Sequence, residues 1–455
     1  MQYYEEPAKK LPVREFDVVV AGGGTAGVVA ALAAARQGAR TALIERKGYP
    51  GGIVVEGGTA LHSFYNLWKA FPGVEKRQVV KGIPQEIIDR LARKGGTTGH
   101  AEMLKGYDYD SICTVIDTEI YKLEAFEMLK EAGVNIFVNT MLTGAIMDGT
   151  RVKGVLTESS SGREAFLAGS FVDCTGYGDL CAQAGADFTE PNDYSVANSI
   201  GVGGVNVDEY FKFFDRSDAI TNYSEGVRSG RDGRAVRIDG KLGKVSPKLS
   251  EEAEKIGMSS VITTLHDDYF MFLKLNYKMP VSPTNRDEAT EAELELRKRQ
   301  FKAIELIRRY IPGCEAAFIA RTSPSLCIRR GRCITCDYDI TLEDVLQGRH
   351  FEDDIMSYGF HDYAPRLQIR NGGTYGIPYR ALRVAGIDNL LAVGMMITSD
   401  HEAHMSTRNT VACMGQGQAA GTAAAICAAN GYGTRELPYM LLKEALVKNG
   451  VYLES

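Results

Sequence analysis

The sequence lacks any run of 18 or more apolar residues, which is the length that a membrane-spanning helix needs. The nearest candidate is the alanine-rich stretch 418–429, which is too short and is typical of a buried helix. Residues 1–17 also lack the apolar core of a secretory signal peptide. We therefore expect a cytoplasmic protein with no membrane partner.

An excess of basic residues is also missing. The 52 lysines and arginines are outnumbered by 58 aspartates and glutamates, which gives a formal net charge of −6 and argues against a nucleic-acid partner. The nine cysteines, without a secretory signal, are expected to be reduced thiols. The sequence shows no internal repeat, and its 455 residues allow two or three domains.

A strand, a glycine-rich turn, a helix and a second strand follow one another near the N-terminus. The apolar run 16–21 predicts a strand that is buried on both faces of a parallel sheet. Residues 22–27 read GGGTAG, 28–37 predict a helix, and 40–45 predict the next strand. This order is the βαβ context that a GxGxxG motif requires for binding a dinucleotide.

The motif residues have separate physical roles. Gly22 permits the tight turn, Gly24 lets the backbone approach a pyrophosphate, and Gly27 lets the helix pack against the strand. The phosphates then lie at the positive end of the helix. Glu45 ends the second strand, where a carboxylate accepts hydrogen bonds from ribose hydroxyls and favours FAD or NAD over NADP.

Two features favour FAD. The basic, glycine-rich loop 46–52 continues where a simple NAD-binding domain would begin its next helix. The chain also returns late to a buried strand, 389–393, followed by a long helix, 406–429, whose N-terminus is expected to face the flavin. No second GxGxxG in a βαβ context is present, so we expect a separate electron donor or acceptor, or reduction by the substrate itself.

The predicted fold class is α/β, with a Rossmann-like FAD-binding domain and a second α+β substrate or cap domain. The FAD-binding domain, formed by 1–189 and 366–455, combines a parallel sheet with an antiparallel meander; the strands of this meander are 142–145, 152–157 and 163–168. Residues 190–365 form the second domain. They are more charged, include a long predicted helix over 288–311, and show few buried-strand runs.

Further motifs lie along the chain in a specific order. They include VDCTG at 172–176, IPYR at 377–380, DNLLAVG at 388–394 and GQGQAAG at 415–421. Together with the N-terminal unit, they resemble the FAD-dependent oxidoreductases that have a glutathione-reductase type of FAD domain. The resemblance implies FAD as cofactor, and an enzyme that acts on a small molecule.

The motif and the resemblance together imply a set of FAD contacts that spans both ends of the chain. Leu142 would meet the adenine, Thr175 and Gly176 the phosphates, and Asp179 the ribityl region. The full set is Gly22, Gly24, Thr25, Ala26, Gly27, Glu45, Arg46, Gly52, Leu142, Thr175, Gly176, Asp179, Gly394 and Arg408.

The sequence departs from the family at two positions. Met395 follows Gly394 where the family usually has Arg, so an ionic contact to cofactor or substrate is in doubt. Cys336 stands where the family tends to have Gly.

Candidate catalytic residues are His401, Tyr379 and Arg329. His401 precedes the predicted flavin-facing helix at a position that the family usually fills with His, so it either transfers a proton or orients a loop. Tyr379 is a candidate proton donor, with ordinary packing as the alternative. Weaker candidates are Tyr375, His404, His361 and His62; His62 or a cysteine could also attach FAD covalently.

Four arginines precede the return to the FAD domain: Arg321, Arg329, Arg330 and Arg332. Arginine suits bidentate recognition of a carboxylate, so a carboxylate-bearing substrate is one interpretation. The other is a structural ion-pair network that includes Glu343 and Asp344.

Cys333 and Cys336 form a CxxC pair, with Cys327 and Cys314 upstream. Three interpretations remain: a redox-active dithiol, a metal or iron–sulfur site with irregular spacing, or strand cysteines that face opposite ways. The last is favoured, and we expect no metal.

The sequence predicts an oxidoreductase that transfers a hydride between flavin N5 and a small organic substrate. The alternative is an electron-transfer flavoprotein subunit that uses the cysteines and a partner protein. A third hypothesis is a protein in which FAD has a structural or biosynthetic role. The sequence leaves the oligomeric state open.

Overall fold

The computed structural model describes residues 4, 6–67, 73–106, 110–361 and 368–454. The strands in the first part of the chain are β1 (Val13–Glu15), β2 (Val18–Ala21), β3 (Thr41–Ile44), β4 (Leu61–His62), β5 (Ala101–Lys105), β6 (Ile112–Thr114), β7 (Asn135–Phe137), β8 (Met141–Asp148), β9 (Arg151–Ser159), β10 (Gly162–Leu167) and β11 (Ser170–Asp173). Those that follow are β12 (Phe188–Thr189), β13 (Val196–Gly203), β14 (Ile220–Arg228), β15 (Arg231–Gly240), β16 (Ile262–Thr263), β17 (Tyr269–Tyr277), β18 (Phe318–Thr322), β19 (Cys333–Ile334), β20 (Asp354–Tyr358), β21 (Tyr375–Pro378) and β22 (Leu390–Ala392).

Helices cover the sheets and connect them. They are α1 (Thr25–Arg36), α2 (Ile53–Gly57), α3 (Ile83–Arg93), α4 (Thr118–Glu131), α5 (Asp179–Gln183), α6 (Val207–Arg216), α7 (Leu242–Val245), α8 (Pro247–Lys255), α9 (Arg286–Tyr310), α10 (Leu342–Leu346), α11 (His401–Thr407), α12 (Thr410–Asn430) and α13 (Tyr439–Lys448). The long helix predicted over 288–311 is α9.

A parallel sheet with the order β22-β11-β2-β3-β7 forms the centre of the first core. Its strands β2, β3, β11 and β22 are buried along their whole length, which is why they are short continuous apolar runs rather than alternating ones. The predicted parallel sheet is therefore confirmed, and it includes the late return strand.

Helices α1 and α12 pack very closely against each other. A Cβ on Gly417 would lie 2.4 Å from the carbonyl oxygen of Ala26, and one on Gly421 would lie 2.0 Å from that of Ala30. Small residues are thus required at this crossing. The predicted helix 406–429 is divided, however: α11 ends at Thr407, and α12 begins at Thr410 after the extended backbone of Asn409.

The predicted antiparallel meander is confirmed as β8, β9 and β10, with β1 added in parallel to β10. It follows β7 of the parallel sheet in the chain, and β11 returns the chain to that sheet directly after it.

A larger sheet has nine strands in the order β18-β13-β17-β16-β15-β14-β5-β6-β4. Six of these strands belong to 190–365, the segment for which an α+β composition was predicted. Strand β15 alternates apolar core residues with polar ones, whereas β17 begins with the continuous apolar run 269–273.

The predicted division of the chain into domains stays a prediction. Strands β4, β5 and β6 come from the segment 1–189, yet they pair within the nine-stranded sheet. The predicted boundary between 365 and 366 lies outside the described residues.

Candidate functional site

A cleft of about 360 Å³ opens at the carboxyl ends of β2, β3, β11 and β22. Ligands of open parallel sheets bind at this edge. Every residue of the predicted FAD set lines the cleft except Gly27; those that do are Gly22, Gly24, Thr25, Ala26, Glu45, Arg46, Gly52, Leu142, Thr175, Gly176, Asp179, Gly394 and Arg408.

Glycines bring the backbone together at the base of this cleft. Gly27 lies within α1, where a Cβ would come within 1.8 Å of the carbonyl oxygen of Gly22. Gly22 has φ +95°, and a Cβ there would lie 2.6 Å from the carbonyl oxygen of Cys174. A Cβ on Gly52, which has φ +54°, would lie 2.7 Å from the Cα of Gly24. The turn can form only with glycine at these positions.

The carboxylate of Glu45 is fixed by the backbone at the end of β3. Its Oε2 accepts a hydrogen bond from the Gly23 amide at 2.7 Å, and its Oε1 accepts one from the Lys47 amide at 2.8 Å. Burial raises the pKa of Glu45, and these two amides oppose the rise. The side chain is thus held as an acceptor in the cleft.

A buried aspartate shapes the opposite lip of the cleft. Asp173 accepts hydrogen bonds from the amide and hydroxyl of Thr175 and from the Cys181 amide. Burial raises the pKa of Asp173, and the two amides oppose that rise. The Thr175 hydroxyl accepts the Asp179 amide at 2.9 Å, and Arg332 donates to Asp179 at 3.0 Å. Arg332 therefore fixes the position of Asp179 at the edge of the cleft.

A second cavity, of about 500 Å³, adjoins the cleft. The two share a wall formed by Ile53, Cys327, Ile328, Met395, Arg408 and Thr410. Met395, which replaces the arginine usual in the family, lies in this wall, while Arg408 supplies a cation there. A cofactor in the cleft would thus form one side of the second cavity.

The other walls of the second cavity come from the nine-stranded sheet. They include His62 on β4, Arg237 and Asp239 on β15, Lys274 on β17, and Arg329. Except for Arg329 and the weaker candidate His62, the sequence did not single out these side chains. The available signal was the alternation in β15, where the core residues Val236 and Ile238 are each followed by a charged residue, Arg237 and Asp239.

Arg329 is the predicted catalytic residue that lines a cavity. It donates to the carbonyl oxygen of Ser195 at 2.6 Å and to Oδ1 of Asn276 at 3.1 Å. Nε2 of His404 lies 2.9 Å from the carbonyl oxygen of Arg329. Burial lowers the pKa of His404 far below its usual range, with the nearby Arg330 and Arg408 adding to this effect, so His404 is a neutral donor.

His401 and Tyr379 are not among the described residues that line either cavity. Nδ1 of His401 lies 2.7 Å from Oδ2 of Asp193, and the Tyr379 hydroxyl donates to the carbonyl oxygen of Thr434 at 3.1 Å. The catalytic role of both stays a prediction.

The remaining weaker candidates also have contacts of their own. The Tyr375 hydroxyl lies 2.6 Å from the Ser406 hydroxyl, and Nε2 of His361 lies 2.8 Å from the carbonyl oxygen of Glu402. None of these contacts involves a residue that lines a cavity.

Two other arginines of the cluster make structural contacts. Arg321 donates to the carbonyl oxygens of Glu56 and Met271, and the buried Arg330 pairs with Asp193. These are not the acidic partners that the sequence suggested, since Asp344 pairs instead with Arg349.

The CxxC pair and the two cysteines upstream of it lie in different surroundings. Cys314 packs in the core under the nine-stranded sheet, Cys327 lies in the wall between the cavities, and Cys333 accepts a hydrogen bond from Arg330 at 2.9 Å. All of the cysteines are free, and burial raises the pKa of Cys336. Within the described ranges, no group of three His, Cys, Asp or Glu side chains is placed to hold a metal ion.

The parallel sheet, its glycine-rich turn and the acid at the end of β3 define a Rossmann-type dinucleotide-binding protein. The family model of the FAD-dependent oxidoreductases matches residues 17–446. The chain belongs to this family: it is an enzyme, and FAD is its cofactor.

Other similarities are partial. A 3-oxosteroid 1-dehydrogenase of Mycolicibacterium smegmatis is 36% identical over 94 residues, which cover 21% of this chain and 16% of that enzyme. One from Mycobacterium tuberculosis H37Rv is 39% identical over 75 residues, covering 16% and 12%. The chain thus matches less than a fifth of the length of these relatives.

Among solved structures, a geranylgeranyl bacteriochlorophyll reductase-like protein from Thermoplasma acidophilum has a TM-score of 0.52 and 14% identity. The match covers 96% of this chain and 84% of that one, and it shows the shared fold. None of these similarities supports the alternative of an electron-transfer flavoprotein subunit. No helix among the described residues is long and apolar enough to span a membrane.

Proposed function

We propose that the enzyme exchanges a hydride between FAD in the cleft and a small organic substrate in the second cavity. The wall shared by the two cavities is the observation that carries this proposal, since it would place cofactor and substrate side by side. Bound FAD supplies two-electron chemistry at its N5 atom. The electrons enter or leave through a separate donor or acceptor.

The cleft residues fit FAD. Gly22, Gly24 and the first turn of α1 offer close backbone approach and amides to the pyrophosphate, and Glu45 offers an acceptor to the adenosine ribose. The N-terminus of α12, at Thr410, offers the partial positive charge of its amides, and Arg408 offers a full positive charge, at the end nearest the second cavity. The predicted FAD residues are proposed to act in these roles, and Gly27 acts through packing.

Within the second cavity, His62 is proposed to carry the proton that accompanies the hydride. Its Nδ1 lies 3.5 Å from Oδ2 of the buried Asp110. Asp110 is itself held by the amides of Ser63 and Ile112. Because the carboxylate favours a proton on Nδ1, the other ring nitrogen of His62 is left to exchange a proton with the substrate.

Arg329 is proposed to bind a carboxylate of the substrate. Hydrogen bonds from the guanidinium to Ser195 and Asn276 fix its position at the cavity wall. Guanidinium groups held in this way recognise carboxylates through charge-assisted hydrogen bonds.

The test is an anaerobic titration of the FAD-loaded protein. A panel of 2-hydroxy and saturated carboxylic acids is expected to include one that bleaches the oxidised flavin spectrum, or 2-oxo and unsaturated acids are expected to restore it after dithionite reduction. Matched neutral amides should act more than tenfold more slowly. The proposal fails if the protein binds FAD but no acid changes its redox state in either direction.

A further inference from the structure

Besides Arg408 in the wall shared with the cleft, three cationic residues line the second cavity at separate positions. Arg237 lies on β15, Lys274 on β17, and Arg329 in the loop before β19. Leu273 and Leu275, which flank Lys274, are core residues on the other face of β17. The alternation of β17 therefore directs Lys274 to the cavity and the two leucines to the core.

The strand register separates Arg237 from Lys274. Arg237 pairs with Thr263 on β16, and Thr263 pairs with Phe272 on β17. Since neighbouring strands lie about 4.8 Å apart, the backbones of Arg237 and Phe272 are roughly 10 Å apart. Lys274 follows Phe272 by two residues, which adds roughly 7 Å along the strand.

Arg329 lies beyond Lys274 in the same direction. It donates to Asn276, which is the next residue of β17 on the face that carries Lys274. The cations thus follow a diagonal across the sheet, with Arg237 at one end, Lys274 between, and Arg329 at the other. The apolar side chains of Phe272 and Val261 line the cavity along with them.

The described lining of the cavity contains more cationic than acidic side chains. Asp239 is the one carboxylate among the described residues that line the cavity, and it accepts hydrogen bonds from Asn222 at 3.0 Å and Ser260 at 2.7 Å. We propose, building on the function proposed above, that the cavity takes a small dicarboxylate. One carboxylate binds at Arg237, the other at Arg329, and the methylene chain lies against Phe272.

Isothermal titration of the FAD-loaded, full-length protein tests the proposal without requiring turnover. The probes are succinate, glutarate and adipate, with acetate and butyrate as monocarboxylates and succinamide as the neutral control. The best dicarboxylate should bind at least about tenfold more tightly than butyrate, because a second charge-assisted contact is made. The proposal would be overturned if monocarboxylates bound as tightly as dicarboxylates, if succinamide bound as tightly as succinate, or if no acid bound.

Substitutions of the cavity cations test where the dicarboxylate binds. Arg237→Gln and Arg329→Gln should each abolish most of the preference for the dicarboxylate over butyrate, and Lys274→Gln provides a third variant should either fail to fold. The control is Arg231→Gln, also on β15, whose exposed side chain pairs with Asp267 outside the cavity and should leave the preference unchanged. Preference retained in all folded cavity variants would overturn the proposal. The function proposed above fails separately, by the absence of flavin bleaching.

Discussion

Nδ1 of His401 lies 2.7 Å from Oδ2 of Asp193, and the same oxygen accepts Arg330 at 2.5 Å. The His401 ring stacks on Tyr194, with ring centroids 4.6 Å apart, and Arg408 lies over that ring at 5.2 Å. Arg408 lines both cavities. His401 is therefore connected to the cavities through Tyr194 and Arg408, which favours an orienting role.

The first prediction follows from this stack. His401→Gln should raise the substrate KM several-fold, yet lower the limiting rate of flavin bleaching by less than about tenfold, since only the placement of Arg408 is disturbed. Tyr194→Leu should reproduce the effect. Stopped-flow measurements separate the two constants. A loss of 10²–10⁴ in the limiting rate, the usual contribution of an acid or base, would instead make His401 the proton carrier.

His62→Gln should have the larger effect on rate. Removing the ring nitrogen that exchanges the proton is expected to lower the limiting rate of bleaching by roughly 10²–10⁴, with substrate binding changed far less. Added imidazole should restore part of the rate of His62→Gly, which a purely structural role would not allow. His266→Gln is the control, because His266 pairs with Asp117 and does not line the second cavity.

Gly27→Ala should abolish FAD binding. The new Cβ would collide with the backbone of Gly22, so either α1 or the turn must move, and the expected loss of unfolding free energy exceeds about 3 kcal/mol. Chemical denaturation and the flavin content of the purified protein measure both effects. Gly243→Ala is the control: Gly243 lies in an exposed helix, and a Cβ there would be 3.6 Å from its nearest neighbour. This substitution should change neither flavin content nor stability. Normal flavin content in Gly27→Ala would contradict the assigned packing.

The base of the cleft could be predicted from the sequence because its information is local. A buried strand, the glycines of one turn and Glu45 lie within 30 residues, and each has a conformational requirement that few other residues meet. The meander was predictable for the same reason, since its strands are consecutive in the chain.

The second cavity could not be predicted in this way. His62, Arg237, Lys274 and Arg329 are far apart in sequence, and they meet only because β4, β15 and β17 join one sheet. Which face of a strand a charged residue occupies depends on register, and a shift by one residue reverses it. The division of the predicted helix at Asn409 likewise has no strong local signal, such as a proline.

The free energy of unfolding is expected to depend on pH through contacts of the C-terminal segment. Nδ1 of His350 lies 2.8 Å from Asp354, and its Nε2 lies 3.2 Å from Glu454. Burial opposes the charge of His350, but its hydrogen bond to Asp354 and its ion pair with Glu454 outweigh burial and raise its pKa to about 9. Burial likewise opposes the charge of Glu454, but the ion pair with His350 and hydrogen bonds from Thr374 and Arg77 lower its pKa to about 2.

The direction follows from linkage. Because the pKa of His350 is higher in the folded state than its ordinary value of about 6.5, its stabilisation is complete below pH 6.5 and is lost as the pH rises through about 9. The loss is roughly 3 kcal/mol of unfolding free energy. Glu454 contributes in the opposite range: its stabilisation is complete above about pH 4.5 and is lost as the pH falls toward 2. Urea denaturation at pH 6 and pH 9.5 should show that His350→Gln is destabilised relative to wild type at pH 6 and nearly equal to it at pH 9.5. Subtracting the unfolding free energy of the variant from that of the wild type cancels the contributions of other titrating groups such as His266. The same difference at both pH values would therefore contradict this role for His350.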